Sequence, residues 1–528
     1  MDKKELLNFC IEKKVLLDKD LLEIFSNSED FSSVKMFIEQ IQSLTNKNII
    51  TKEVLNSNKD NLREFFLSDP RNKEILKELT IKFGLNLEIS AKIHSQKELI
   101  NNLEKEQSKV KILNSYSSIS KDFGVKDFIN YFRNRFNEMK NYFSNNVKFE
   151  NLISINRLSK EKQNVSLIGM VLDKSLTKNK NFILEIEDLT GRIKLLISKE
   201  KSNLIELVEN ISLDSVLCFK CSGNKEVLFV NEIIYPDSDL PIRKKSPVEE
   251  YALFISDLHF GSKKFFKEEF FKFIDYLNGK DGNLEEVNKI KYLFIVGDVV
   301  TGVGNYPDQE KDLEFTDLEK QFQGLADALK LIRKDIQIII SPGNHDGVRL
   351  MEPQPIFDEK YAWPLYNINN IFLVSNPSLI NISERKGFEG FNILVYHGFS
   401  FNYFARAIPK LISADAMNHP EKIMEYLLMN RHLAPTHGSV QYVPSEKDFH
   451  IIKKIPDIFV SGHTHKSDVF YYNNILVISG STWEAMTTYQ EKFGNIPDHC
   501  KVPMVNLKTR AVKILDFENY ENKEEEKK

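Results

Sequence analysis

Residues 338–349 read "IIISPGNHDGVR": three isoleucines run into a proline and a glycine, and then an amide, an imidazole and a carboxylate follow side by side. Consecutive β-branched residues favour a buried strand, and Pro342 and Gly343 end it in a sharp turn. Asn344, His345 and Asp346 are therefore expected at the C-terminal end of that strand. The pattern recurs along the chain. "YALFISDLHFGS" (251–262) delivers Asp257 and His259, and "YLFIVGDVVTG" (292–302) delivers Asp298. "ILVYHGFS" (393–400) delivers His397, and "DIFVSGHTH" (457–465) delivers His463 and His465. Amphipathic segments such as "DLEKQFQGLADALKLIRK" (317–334) alternate with these strands, which predicts an α/β domain on stacked sheets over residues 250–518. In such sheets strand C-termini form the ligand-binding edge, so groups spread from 257 to 465 can converge on one place.

The residue types suit two divalent metals. Imidazole, carboxylate and amide oxygen together favour manganese, iron, zinc or cobalt over calcium, which prefers oxygen alone. One carboxylate shared by two ions would hold them about 3.5 to 4 Å apart, the spacing of two-metal hydrolases. Two such ions bring four positive charges against two ligand carboxylates, Asp257 and Asp298. The surplus attracts an anionic substrate and makes hydroxide available near neutral pH. "GD" after a strand is common and "GNHD" quite specific; it is the ordered joint occurrence of all five motifs that makes a purely structural explanation improbable.

With 528 residues, 41% apolar and 28% charged, the chain is expected to form two or three soluble domains. Its net charge of -4 argues against wholesale electrostatic capture of nucleic acid and leaves room for local basic patches. The N-terminus "MDKKELLNFCIEKK" lacks the apolar block of a signal peptide and no long apolar run appears, so an intracellular, cytoplasmic location without membrane contact is expected. Cys218 and Cys221 fall in the strand-like run "SVLCFKCSG" (215–223) with no second pair nearby; they are expected in the core, facing opposite sides of the strand.

Upstream, residues 1–45 carry helical periodicity and predict a helical module. Residues 46–150 turn Asn-, Lys- and Glu-rich and predict a linker or helical region, partly disordered. Within them "KDNLREFFLSD" (59–69) places Leu62 three residues before Phe65 and Phe66. That resembles the clamp-binding peptide of replication proteins, with Lys59 where the leading glutamine would stand; an amphipathic helix packing on its own protein explains it as well. Residues 160–240 form short β-rich runs. "EIEDLTGRIKLLI" (185–197) is a hairpin by its own chemistry, with Asp188, Thr190 and Gly191 in the turn. Five or so such strands suit a small barrel, and "DLTGRI" resembles the OB-fold, although a purely structural barrel stays open because stacking aromatics are sparse.

The ordered set of motifs resembles the calcineurin-like metallophosphoesterase superfamily, whose signature runs D-x-H, G-D, G-N-H-D/E, H, G-H-x-H; every signature residue is present. The resemblance implies a β-sandwich flanked by helices. It implies that Asp257, His259 and His465 hold one metal, that Asn344, His397 and His463 hold the other, and that Asp298 bridges. His345 would contact the scissile phosphate and protonate the leaving oxygen, with Asp346 orienting it. Further segments, "GVGNYPDQE" (302–310), "SPGNHDGVRLMEPQP" (341–355) and "LMNRHLAPTHGS" (428–439), look like one group, the small subunits of archaeal D-family DNA polymerases. That likeness implies 3′-to-5′ exonuclease proofreading, typically with manganese and with magnesium, zinc or iron as alternatives. It also implies DNA 3′ ends as substrate, a large catalytic polymerase subunit as partner and association with the nucleoid. A stand-alone phosphatase or nuclease and a non-catalytic scaffold are the rival expectations. Arg349 is a candidate phosphate contact, with a surface salt bridge as the equal alternative, and His432 and His437 are expected either at the cleft rim or in simple packing.

Overall fold

The computed structural model describes residues 151–487 and 496–518 without a break, together with 491. Upstream it describes 3–18, 110–116, 122–146 and 149, and scattered positions between 21 and 51. Leu62, Phe65 and Phe66 lie outside the described residues. The chain divides into two compact units, residues 1–108 and 109–528.

In the first unit the helix Lys3–Glu12 buries Leu6, Phe9 and Cys10, a spacing of three and four that puts one helical face inward. Leu16–Leu17 and Ile49–Ile50 pair as a short parallel ladder, a strand element that the helical periodicity did not announce.

The second unit contains a sandwich of two six-stranded sheets. The first runs Ile371–Leu373, Gln337–Ser341, Ile290–Val296, Tyr251–Ser256, Lys501–Asn506 and Val512–Asp516. Its first four strands are parallel and the last two antiparallel. The second sheet runs Asp468–Tyr472, Ile475–Ser479, Ile458–Ser461, Phe391–Val395, Ser378–Ile382 and Val110–Asn114. Its three central strands are parallel. Strands buried on both faces need continuous apolar runs, and "YALFIS" and "KYLFIV" supply them. Phe254 and Phe294 of one sheet share a core with Ile393, Val460 and Ile478 of the other. On the outer faces, Phe270, Phe322 and Leu325 from helices cover the first sheet, and Phe404, Ile423 and Leu427 cover the second.

Residues 163–234 close into a five-stranded barrel in the order Gln163–Leu176, Phe182–Asp188, Gly191–Ile197, Leu228–Ile234, Val216–Gly223. The turn expected at Asp188 forms as its chemistry requires, with Asp188 Oδ1 accepting from the Thr190 and Gly191 N–H groups at 2.7 and 3.0 Å. Cys221 points into the barrel core and Cys218 outward against the helix Val125–Asn146, the opposite-side placement expected for an odd separation. Burial pushes both thiols up to about 12, so neither supplies a ready thiolate.

Residues 46–150, expected as a linker or helical region, contain a helix and a strand among the described residues. Val110–Asn114 is the edge strand against Ser378–Ile382, and Val125–Asn146 is a helix whose Phe136, Met139 and Phe143 pack on the barrel. The strand's partner is far away in the chain, so no local pattern reveals it. The stretch 236–250 is likewise anchored. Ser238 donates to Leu428 O at 2.8 Å, and Lys244 pairs with Asp457 at 3.2 Å.

Candidate metal centre

The parallel strands of both sheets end on one edge, and every sequence-predicted ligand follows one of those ends. Five of them, Asp257, His259, Asp298, His463 and His465, have φ between 45° and 70°. A non-glycine residue in this region is strained by about 1–3 kcal/mol, a cost that surrounding structure must offset. Cross-loop hydrogen bonds supply that support: Asp257 N donates to Gly297 O (3.1 Å), His259 N to Asp298 O (2.9 Å) and Gly462 N to His397 O (3.0 Å). Gly297 has φ 72°, and a Cβ there would stand 2.1 Å from His397 Nδ1. Only glycine lets the imidazole lie against this turn.

Two triads result. Asp257, His259 and His465 bring one donor atom each within 4.8 Å of one another, as do Asp298, His397 and His463. His259 Nε2 faces His465 Nε2 at 3.2 Å, and His465 Nε2 lies 3.5 Å from Asp257 Oδ1. His397 Nε2 lies 3.3 Å from Asp298 Oδ2 and 3.1 Å from Asn344 Oδ1. Donors bound at about 2.0–2.1 Å to a common ion are themselves roughly 3.0–3.4 Å apart, so the spacing fits a shared cation. The donor set of nitrogen and oxygen fits a first-row divalent ion, and no particular metal is singled out.

The electrostatics are those of a site built for cations. Burial opposes the charge of Asp298, yet His397, His345 and His259 outweigh it and hold the carboxylate well below its ordinary range. Burial also opposes charge on Asp257, which His465 nevertheless holds below the usual value. His397 is raised to about 9, because Asp298, Asp257 and Asp346 overcome its burial. His463 is lowered to about 3 by burial, reinforced by the nearby His397. His465 is raised by Asp257 against its burial, and His259 is lowered by burial.

His345 stands beside the triads, its ring 4.9 Å from that of His259, and its backbone N–H donates to Asp298 Oδ1 at 2.8 Å. Its Nδ1 meets the Thr301 carbonyl at 3.0 Å and the Asn305 amide at 3.1 Å. The groups at this nitrogen are thus the Thr301 carbonyl and the Asn305 amide. The oxygens of Asp346 accept from Val300 N (2.9 Å) and Gly343 N (2.7 Å), which ties the "GD" loop to the "GNHD" loop. Burial, with the charge of Asp298, pushes Asp346 up to about 8.

Arg349 turns to the carbonyls of Met351 (3.2 Å) and Pro353 (2.9 Å) and stacks over Tyr116, so its guanidinium holds its own loop rather than joining the triads. His432 is not at a rim. It is buried, with Nε2 2.9 Å from Asp448, in a network with Arg135, His450 and Glu352. His437 is exposed and meets Tyr442 at 2.7 Å, while its backbone N–H donates to Asp214 of the barrel. Sequence reasoning missed Asn402, whose amide nitrogen is 3.1 Å from His463 Nε2. It also missed Asn376, whose Oδ1 accepts from His397 N at 2.8 Å, and Gln354, which joins Asn376 to Gly343 O. Gln354 and Asn305 do lie in the segments "MEPQP" and "GVGNYPDQE", whose specificity was visible although their contacts were not.

The chain is thus a layered α/β sandwich that carries two candidate metal-binding carboxylate–imidazole triads on one sheet edge. The family model for the DNA polymerase alpha/epsilon B-subunit matches residues 252–469. The DNA polymerase II small subunit of Thermoplasma acidophilum is 34% identical over 427 residues, 79% of this chain and 84% of that one. That of Methanothermobacter thermautotrophicus is 35% identical over 399 residues, 74% and 80% of the two chains. Against that of Pyrococcus furiosus the identity is 36% over 406 residues, 75% of this chain and 64% of that longer protein. The chain belongs to the family of DNA polymerase II small subunits.

Proposed function

We propose that this chain is the small subunit of an archaeal D-family DNA polymerase and that its sandwich is a calcineurin-like phosphoesterase acting as a 3′-to-5′ proofreading exonuclease. The observation that carries the proposal is the pair of triads beside His345 on one sheet edge. Asp257, His259 and His465 would hold one divalent ion, His397, His463 and Asn344 the other, and Asp298 would be shared between them. Two ions so held, manganese being the favoured pair, would supply electrophilic stabilisation of a phosphodiester and a nucleophilic hydroxide at neutral pH.

The remaining work falls to the chain's own groups. The Thr301 carbonyl at Nδ1 would orient the His345 ring, which leaves Nε2 as the nitrogen that would deliver a proton. As the bond between phosphorus and the 3′ oxygen breaks, that proton passes to the oxygen, and a nucleoside monophosphate departs. Asn402, within reach of His463, would contact a phosphate or sugar oxygen. The barrel is read as an OB-fold that, with the sandwich, seats a large catalytic polymerase subunit. The DNA polymerase II small subunits named above support that partnership.

The test is manganese-dependent digestion of a primer with a mismatched 3′ end by the purified chain, with and without co-expressed large subunit. Stepwise release of nucleoside 5′-monophosphates from the 3′ end that disappears in D298N is the expected result. A wild-type chain that cleaves no phosphodiester, or a D298N variant as active as wild type, refutes the proposal.

A further inference from the structure

Outside the sheet edge that carries the two triads, a third group of ligating side chains comes together where a helix meets an edge strand. The helix Pro420–Asn430 begins with Pro420, and its next residue, Glu421, turns inward until only 6% of it is exposed. There it meets Asp468, the first residue of the strand Asp468–Tyr472, with a carboxylate oxygen of each within 4.8 Å of the other. His419, the residue before the helix, brings Nδ1 to 3.8 Å from Glu421 Oε1. One donor atom from each of the three lies within 4.8 Å of the others.

The pairing is unusual in its chemistry. Carboxylates are acceptors, so two facing one another have no hydrogen to share unless a proton or a cation is supplied. Glu421 Oε2 is buried and makes no hydrogen bond to any protein group. Lys422, the adjacent cation, reaches Glu425 at 3.8 Å and lies over the ring of Phe470. Burial first, and the Asp468 carboxyl second, raise Glu421 to about 7, as expected of a carboxyl held against another.

We propose that His419, Glu421 and Asp468 form a site for a first-row divalent cation of the zinc type, separate from the two triads, that fastens the start of the helix Pro420–Asn430 to the edge strand Asp468–Tyr472. One imidazole and two carboxylates match that class of ion better than calcium or magnesium. His419 is more than half exposed, so water completes the coordination and the ion exchanges with solvent. Asp468 lies three residues beyond His465, so the bound ion also anchors the strand that leaves the "GHTH" loop. The inference rests on this donor set alone and stands whether or not the chain is a nuclease.

Equilibrium dialysis of the full chain against Zn²⁺ at neutral pH, with the bound metal counted by elemental analysis, tests the site. H419A and E421Q are each expected to bind one equivalent less than wild type, with the manganese-dependent activity of the sheet edge unchanged. His419 lies at the surface, so its substitution leaves the core intact, and H419A decides the matter even if E421Q folds poorly. Zinc content in H419A equal to that of wild type overturns the proposal and leaves a shared proton as what joins the two carboxyls.

Discussion

Replacing Asp448 by Asn tests how the helix Val125–Asn146 is held to the sandwich. Asp448 is fully buried and accepts from Arg135 Nε at 2.7 Å, while its side chain lies 2.9 Å from His432 Nε2. Its other oxygen accepts from His450 N at 3.0 Å. Arg135, 97% buried in its side chain, has Asp448 as its ion-pair partner and otherwise meets the Pro435 carbonyl and the Tyr131 hydroxyl. Asn has nearly the same shape as Asp, so D448N removes charge without opening a cavity, and it leaves a guanidinium uncompensated in the interior. Breaking a buried pair in this way costs about 3–5 kcal/mol, against a total stability of about 5–15 kcal/mol for a typical domain. R135M should cost less, because the carboxylate keeps His432 and His450 as partners and burial fails to prevent His450 from rising to about 9 beside Asp448 and Glu352. Guanidinium unfolding followed by circular dichroism, with midpoints converted through the slope of the transition, measures both. A D448N loss below about 1 kcal/mol, or an R135M loss as large as that of D448N, would refute the argument that an orphaned cation dominates.

Two other outcomes follow from the centre itself. H345A should lower the rate on DNA by about 10²–10⁴-fold, the usual contribution of a general acid, and leave metal content unchanged. With a p-nitrophenyl phosphodiester, whose leaving group needs no proton, the same variant should lose far less; equal losses on both substrates would contradict the assigned role. For metal binding the sign follows from His397, raised to about 9 by Asp298, Asp257 and Asp346 against its burial. An ion must displace that proton, so apparent Mn²⁺ affinity should rise about tenfold per pH unit from about pH 6 to about 9 and then level off. Calorimetry in buffers of different ionisation enthalpy counts the released protons, and none released near neutral pH would count against this coupling.

Much of the centre was legible in the sequence because each ligand sits within a few residues of the strand that delivers it. Once "YALFIS" or "DIFVS" is a strand, the chain's own stiffness places Asp257 or His463 at its end. The hairpin at Asp188 and the opposed cysteines were readable for the same reason, since turn chemistry and the two-residue period of a strand are local. The partners of His432, Arg349 and Asp346 were not legible, because a polar residue's partner depends on what the tertiary fold brings to it. His432 met Asp448 and Arg135, Arg349 met carbonyls of its own loop, and Asp346 met the backbone of a neighbouring turn.

The composition of the centre could be read along the chain: which imidazoles, carboxylates and amide are present, and that each leaves the end of a hydrophobic strand. Packing of distant segments was needed to show how they divide into triads, which carbonyl meets His345, and that Val110–Asn114 completes a sheet whose other strands begin at Ser378. The reason is the range of the forces involved. Strand formation and turn direction are set by neighbours along the chain, whereas a triad exists only when distant segments pack closely enough for their donors to face one another.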